Sequence, residues 1–243
     1  MVYYFSGTGN SEFVAKRLAV LLKLSAKRIT KIDPKKVVVD KTKPFIIVYP
    51  TLAFGMPKMV ENFLDQVDFS KCYSVLITTC AGDSGGQLVK YKRKYGFNHL
   101  NEIFMPNNYI ISKKGSVQSR AKQENLVNNA HVKLNRISND ITRRLDFTER
   151  SKAHFKLSKN LIHNLFIKYG TKTSFVVSSD CTGCGVCENI CPDHTIKMKD
   201  GHPVWESDTC EMCLRCLHTC PSKAIDYKYS KGKERYLYFP FVK

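Results

Sequence analysis

The sequence predicts an α/β fold, a doubly wound parallel sheet, followed by a small cysteine-rich unit. Two observations predict this. Through about residue 145, short apolar runs alternate with segments of helical periodicity, and strands alternating with helices imply a parallel sheet covered on both faces. Beyond that point the alternation stops, and eight of the ten cysteines fall between Cys181 and Cys220.

The elements follow in order. Residues 2–5 read as a short buried strand. Residues 10–23 read as a helix with Phe13, Val14, Leu18, Leu21 and Leu22 on its apolar side. Residues 37–39, three valines, are too short to assign. The apolar run 45–49 suits a strand covered on both faces. Pro57 opens the next helix, which carries Met59, Val60, Phe63 and Leu64. Residues 73–79 form another strand, and Gly85 and Gly86 lead into a basic helix at 88–95. Residues 103–105 and 109–111 flank a Pro-Asn-Asn turn, and 117–145 reads as one long helix. A further basic, amphipathic helix is expected at 157–169, and 175–177 leads into the cysteines. The chain therefore divides into 1–145, a basic helical linker at 146–173, and a cysteine-rich domain at 174–243.

The 243 residues are 43% hydrophobic, enough for a sizeable core. No apolar run reaches the roughly 18 residues of a membrane span, and no secretory signal opens the chain. A cytoplasmic location is expected, and there reduced thiols favour metal binding over disulfides. The formal net charge is +18, concentrated at residues 84–174, where 18 Lys and Arg face 5 Asp and Glu. Lys90, Lys92, Arg93 and Lys94 form the densest run, with Tyr91 and Tyr95 interleaved. A solvated surface is the plain reading. Such a field also favours an acidic redox partner. No nucleic-acid-reading motif accompanies it, so nucleic acid is not expected.

The strongest signal is a repeat. Cys181, Cys184, Cys187 and Cys191 have counterparts 29 residues later at Cys210, Cys213, Cys216 and Cys220, as Pro192 has at Pro221 and Ile196 at Ile225. Both copies read C-x2-C-x2-C-x3-C-P, the bacterial ferredoxin spacing, in which the fourth cysteine ligates the other cluster. One [4Fe–4S] cluster is thus expected on Cys181, Cys184, Cys187 and Cys220, and a second on Cys210, Cys213, Cys216 and Cys191. Three thiolates two residues apart wrap three corners of a cubane on a tight loop, which Gly183 and Gly185 permit. Zinc sites more often pair C-x2-C with a second distant pair. Cys72 and Cys80, outside the repeat, read as plain buried thiols.

Ser6, Gly7, Thr8, Gly9, Asn10 and Ser11 follow the first strand and open a helix. A helix N-terminus offers amides and partial positive charge to an anion, so this is a phosphate-loop candidate, with an ordinary βα turn as the plain alternative. There is no Walker lysine and no third glycine of a dinucleotide fingerprint.

The run Tyr4-Phe5-Ser6-Gly7-Thr8-Gly9-Asn10-Ser11 resembles the flavodoxin FMN-phosphate loop, and the cysteine half resembles a two-cluster ferredoxin. In this order, the chain resembles the flavodoxin–ferredoxin fusion family, the EFR-type ferredoxins of anaerobic bacteria, over nearly its whole length. Met105-Pro106-Asn107-Asn108-Tyr109 resembles a stretch of the same family. The resemblance implies a flavodoxin-like domain, a small α+β ferredoxin domain, and FMN at the carboxyl ends of the strands. Its ring contacts would come from Pro50, Thr51, Leu52, Ala53, Phe54 and Gly55, and from Thr79, Cys80, Ala81, Gly82 and Gly85. The only Trp, Trp205, lies in the cysteine half, and Leu52 stands where relatives often carry an aromatic. Phe54 and Tyr109 are the substitutes.

The expected function is electron transfer among two [4Fe–4S] clusters and FMN in one chain. The alternative is a flavin-dependent reductase of a small substrate, fed by its own ferredoxin domain. A regulatory nucleic-acid-binding iron–sulfur protein is a third class.

Overall fold

The apolar run at 45–49 becomes the middle of a sheet. Strand β3 (Phe45–Pro50) has its first five residues no more than 1% exposed. The computed structural model describes residues 1–149, 161–166, 175–207 and 210–236. Around β3 stand β1 (Val2–Tyr4), β2 (Ala26–Arg28), β4 (Ser74–Cys80), β5 (His99–Phe104) and β6 (Phe147–Thr148). The strand order is β2-β1-β3-β4-β5-β6, and every pair is parallel. This is the flavodoxin-like order, whose direction of winding reverses between β1 and β3.

Alternate residues of each strand face opposite layers. Tyr3, Phe5, Phe45, Ile47 and Tyr49 pack with Val60, Phe63 and Leu64 of α2 (Lys58–Leu64) and with Leu88 and Tyr91 of α3 (Gln87–Tyr95). Val2, Tyr4, Ile46 and Val48 pack with Phe13, Val14 and Leu18 of α1 (Asn10–Leu21) and with Leu134, Ile137 and Ile141 of α4 (Arg120–Thr142). No helix among the described residues is long and apolar enough to cross a membrane.

The cysteine-rich unit is built twice over. Helix α6 (Val186–Ile190) and helix α7 (Arg215–Thr219) each follow two of the ligand-spaced cysteines and carry the third, Cys187 and Cys216. Strands β8 (Ile196–Lys199) and β9 (His202–Trp205) form a hairpin, while β7 (Phe175–Val177) pairs antiparallel with β10 (Ile225–Tyr227). The backbone repeats with the sequence: Gly183 and Met212 share a left-handed conformation (φ 70 and 50), as do Gly185 and Leu214 (φ 70 and 58).

Several elements were not expected. The edge strand β2 carries Ala-Lys-Arg, without an apolar signature, and is only half-buried. Strand β5 begins with His99 and Asn101, polar residues that are nevertheless fully buried. Strand β6 lies inside the segment read as linker and adds the sixth strand to the sheet. Residues 109–111 form no strand; Ile110 and Ile111 instead enter the core of the cysteine-rich unit. Within the helix expected at 157–169, residues 161–166 are helical (α5) and the remainder lies outside the described residues.

The two units meet along a polar seam. Lys233 Nζ donates to the carbonyls of Ile110, Ser112 and Gly115 at 3.0, 2.6 and 2.7 Å, which uses all three ammonium hydrogens. Lys233→Met leaves three carbonyls without that donor. It is expected to destabilise the protein by about 1–2 kcal/mol, read as a lower urea midpoint at unchanged slope.

Candidate functional site

The loops at the carboxyl ends of β1, β3, β4 and β5 enclose a cavity of about 1440 Å³ including its open mouth. Its floor is the loop into α1. Gly9 is the N-cap of that helix, and no side chain caps it, so the first amides of a 12-residue helix are left for another acceptor. Ser6 Oγ accepts from Gly9 N (3.1 Å) and Thr8 Oγ1 accepts from Asn108 Nδ2 (2.7 Å). Each of these hydroxyls keeps its own hydrogen to donate. The other two expected phosphate donors hold the loop instead. Asn10 Nδ2 donates to Pro106 O (2.8 Å) while its Oδ1 accepts from Tyr236 OH (2.7 Å), and Ser11 Oγ bonds Thr79 Oγ1 (2.8 Å).

Of the residues expected around a flavin, Ser6, Gly7, Thr8, Asn10, Ser11, Pro50, Thr51, Leu52, Ala53, Phe54, Thr79, Cys80, Ala81 and Gly82 line this cavity. Gly9, Gly55 and Gly85 do not line it. The space beside Gly55 is filled by the His163 ring, and a Cβ on Gly85 would lie 2.6 Å from that of Phe54. Leu52 and Gly55 exchange two backbone bonds of 2.9 Å across a turn in which Ala53 and Phe54 both have positive φ (45 and 68). Such strain in non-glycine residues persists where the surroundings hold it, typically at functional sites. Here it turns Phe54 into the cavity wall. Tyr109 lines the opposite side.

Sequence reasoning missed two walls. Helix α5 contributes Ile162 and Phe166, and is pinned by His163 Nδ1 to Leu52 O at 3.1 Å. The cysteine-rich unit contributes Met212, Cys213 and Leu214. For α5 the available signal was the apolar stripe of an amphipathic helix. Nothing local pointed to 212–214.

The eight repeat cysteines separate into two sets. Cys181, Cys184, Cys187 and Cys220 surround one cavity of about 300 Å³ including its open mouth, and Cys191, Cys210, Cys213 and Cys216 surround another of the same size. The division is the crossed one that the spacing implies. Among the described residues, no three His, Cys, Asp or Glu side chains converge on a single-ion site. Four thiols spaced round a void suit a polynuclear cluster, which is held at its corners. Burial pushes the Cys210 thiol up to about 12 and raises those of Cys213 and Cys216 above the ordinary thiol range. These sulfurs become thiolates only against a cationic metal core. The first set includes the exposed Cys184 as well as the buried Cys187, whereas Cys191, Cys213 and Cys216 of the second are all buried and Cys213 reaches the large cavity, so the first set is the more accessible.

The second set is built into the floor of the large cavity. Cys213 lines both voids. Its carbonyl oxygen lies 2.4 Å from where a Cβ on Gly7 would sit, too close for any side chain. Glu211 accepts from Lys58 N (3.1 Å) and Met59 N, so a side chain from one unit caps α2 of the other, which has no side-chain cap of its own. Burial lowers the pKa of His218 to about 4. The ring is therefore neutral, and Nε2–H donates to Asn108 O (2.8 Å) while Nδ1 accepts from Tyr236 N (3.0 Å).

Gly7 does not have positive φ, so an alanine there is opposed by crowding and not by its own backbone. Gly7→Ala is expected to lift residues 211–215 off the loop. Their amides should exchange about tenfold faster in deuterium, with those of β3 and β4 unchanged.

The family profile of the 4Fe-4S dicluster domain matches residues 180–225. A ferredoxin-like protein in the vnf region of Azotobacter vinelandii is 43% identical over 47 residues, 17% of this chain and 72% of the relative. In the N-terminal region, the protein NrdI of Bartonella henselae is 37% identical over 121 residues, 48% of this chain and 83% of the relative. The NrdI of Bartonella quintana is 37% identical over 76 residues, 29% of this chain and 52% of the relative. With a relative of each kind matched over most of its length, and with the strand order described above, the chain belongs to the flavodoxin–ferredoxin fusion family.

Proposed function

We propose that this protein carries electrons within one chain between two [4Fe–4S] clusters and an FMN. The observation that supports this most is the double role of Cys213, a wall of the second cysteine cavity and of the large cavity at once. The large cavity has the donors a flavin phosphate needs: uncapped α1 amides and the Ser6 and Thr8 hydroxyls. Leu52, Phe54, Tyr109, Phe166, Met212 and Leu214 provide the apolar walls that suit a flat ring system. A cluster exchanges single electrons and a flavin holds one or two, so joining them matches one-electron partners to a two-electron store.

The residues order the sites in space. The exposed Cys184 side is where an external protein would exchange electrons with the first set, and the second set then connects it to the large cavity. We propose that the external partner is acidic. Helix α3 presents Lys92, Arg93 and Lys94 at the surface, although Lys94 is partly offset by Glu61 (3.5 Å) and Asp65 (3.3 Å). Attraction of this kind weakens with salt.

Protein purified without oxygen is expected to hold about eight irons and one FMN per chain. Cys213→Ser should lose roughly half the iron yet keep its flavin, and reduction of that flavin by an external iron–sulfur donor should slow by at least about tenfold. Undiminished flavin reduction in that variant would remove Cys213 from the path.

A further inference from the structure

We propose that Arg215 is a positioning residue that sets the two clusters at unequal potentials. Its charge favours an electron on the cluster beside the phosphate loop. The inference rests on the electron-transfer reading above.

The duplication provides an internal control. The two copies match in cysteines, in the following proline and in their left-handed backbone positions. They differ at the residue before the third cysteine, which is Val186 in the first copy and Arg215 in the second. Val186 lines the first cysteine cavity and Arg215 lines the second. At this position the two sites differ by one full positive charge, although acidic residues also differ between them, Glu211 standing opposite Thr182 and Asp193 opposite Ser222.

Around Arg215 this charge meets one carbonyl, with Glu12 near enough to act on it only through space. Its Nη1 reaches the carbonyl of Ser6 at 3.4 Å, the residue that begins the phosphate loop. That oxygen is already taken by Arg28 Nη1 at 2.9 Å, and Arg28 has its own carboxylate, Glu12. Among the described residues no carboxylate forms an ion pair with Arg215, and its buried Nε has no hydrogen-bond partner. A half-buried guanidinium is costly unless an anion compensates it. The thiolates of the second set, which line the same cavity, are that anion. Arg215 therefore lies between the second cysteine set and the phosphate loop, touching the one and bonded to the other.

A fixed positive charge stabilises the reduced form of a nearby one-electron centre, because reduction adds one negative charge. Asp193 also lines the second cavity, and Glu211 lies beside it. Removing Arg215 alone leaves these acids in place, so any shift then belongs to its charge.

The test is a redox titration of the full chain, purified without oxygen and carrying both clusters and flavin, followed by electron paramagnetic resonance. In Arg215→Met, one cluster couple should move to more negative potential while the other stays. At fixed poise its ratio of reduced to oxidised cluster should fall about tenfold, about 59 mV for a one-electron couple. Arg215→Lys should keep most of the wild-type value. Val186→Arg, which places the same charge in the first copy, should move the other couple in the positive direction. The inference is overturned if Arg215→Met leaves both couples in place or moves both alike. If that variant does not retain its clusters, an unmoved couple in Val186→Arg overturns it instead. A wild-type protein without two clusters would bring down the underlying reading as well. Two clusters present but unshifted would bring down this inference alone.

Discussion

The arrangement depends on one close approach. The backbone of Cys213 rests on Gly7, at a distance that leaves no room for a side chain. Everything that joins the two units is consistent with holding this contact. Glu211 caps α2 from one side, His218 and Tyr236 bind Asn108 and Asn10 from the other, and Lys233 gathers three carbonyls of the loop after β5. Each bond is modest in net terms, about 1 kcal/mol or somewhat more where a charge takes part. Their value is collective, since they fix the position of one cysteine relative to one loop.

Four of the ten non-glycine residues with positive φ among the described residues stand around the same place. Ala53 and Phe54 have positive φ on one side of the large cavity, and Met212 and Leu214 on the other. In the first copy of the repeat, the positions equivalent to Met212 and Leu214 are glycines, which adopt that conformation without penalty. The second copy accepts the strain and gains two apolar walls facing the sheet unit. The duplicated halves have therefore diverged toward different tasks, one half with Cys184 exposed and one lining the large cavity.

Local patterns in the sequence revealed what is local in the structure. The 29-residue offset marked eight cysteines as a duplicated ligand set, and the crossed pairing was expected from the ferredoxin rule for that motif. The apolar run at 45–49 and the glycine loop before Asn10 placed the sheet and its reactive edge. Strand β2 was hidden because an edge strand of Ala-Lys-Arg has no apolar period, and β5 because His99 and Asn101 are buried polar residues. The seam was hidden for a different reason. The Tyr236 to Asn10 bond joins residues 226 apart, and the Glu211 cap joins residues about 150 apart. No short-range period encodes pairings of that kind. For the same reason Met212, Cys213 and Leu214 were visible as neighbours of cluster ligands but not as walls of the large cavity.

The central claim is that electron exchange between the two halves takes place inside a single molecule, across the Cys213–Gly7 contact. Rapid mixing with a one-electron donor, with flavin absorbance followed over a range of protein concentrations, tests this directly. The account predicts a first-order flavin reduction whose rate does not change with protein concentration. A rate that rises in proportion to protein concentration would mean that electrons pass between molecules, and would contradict it.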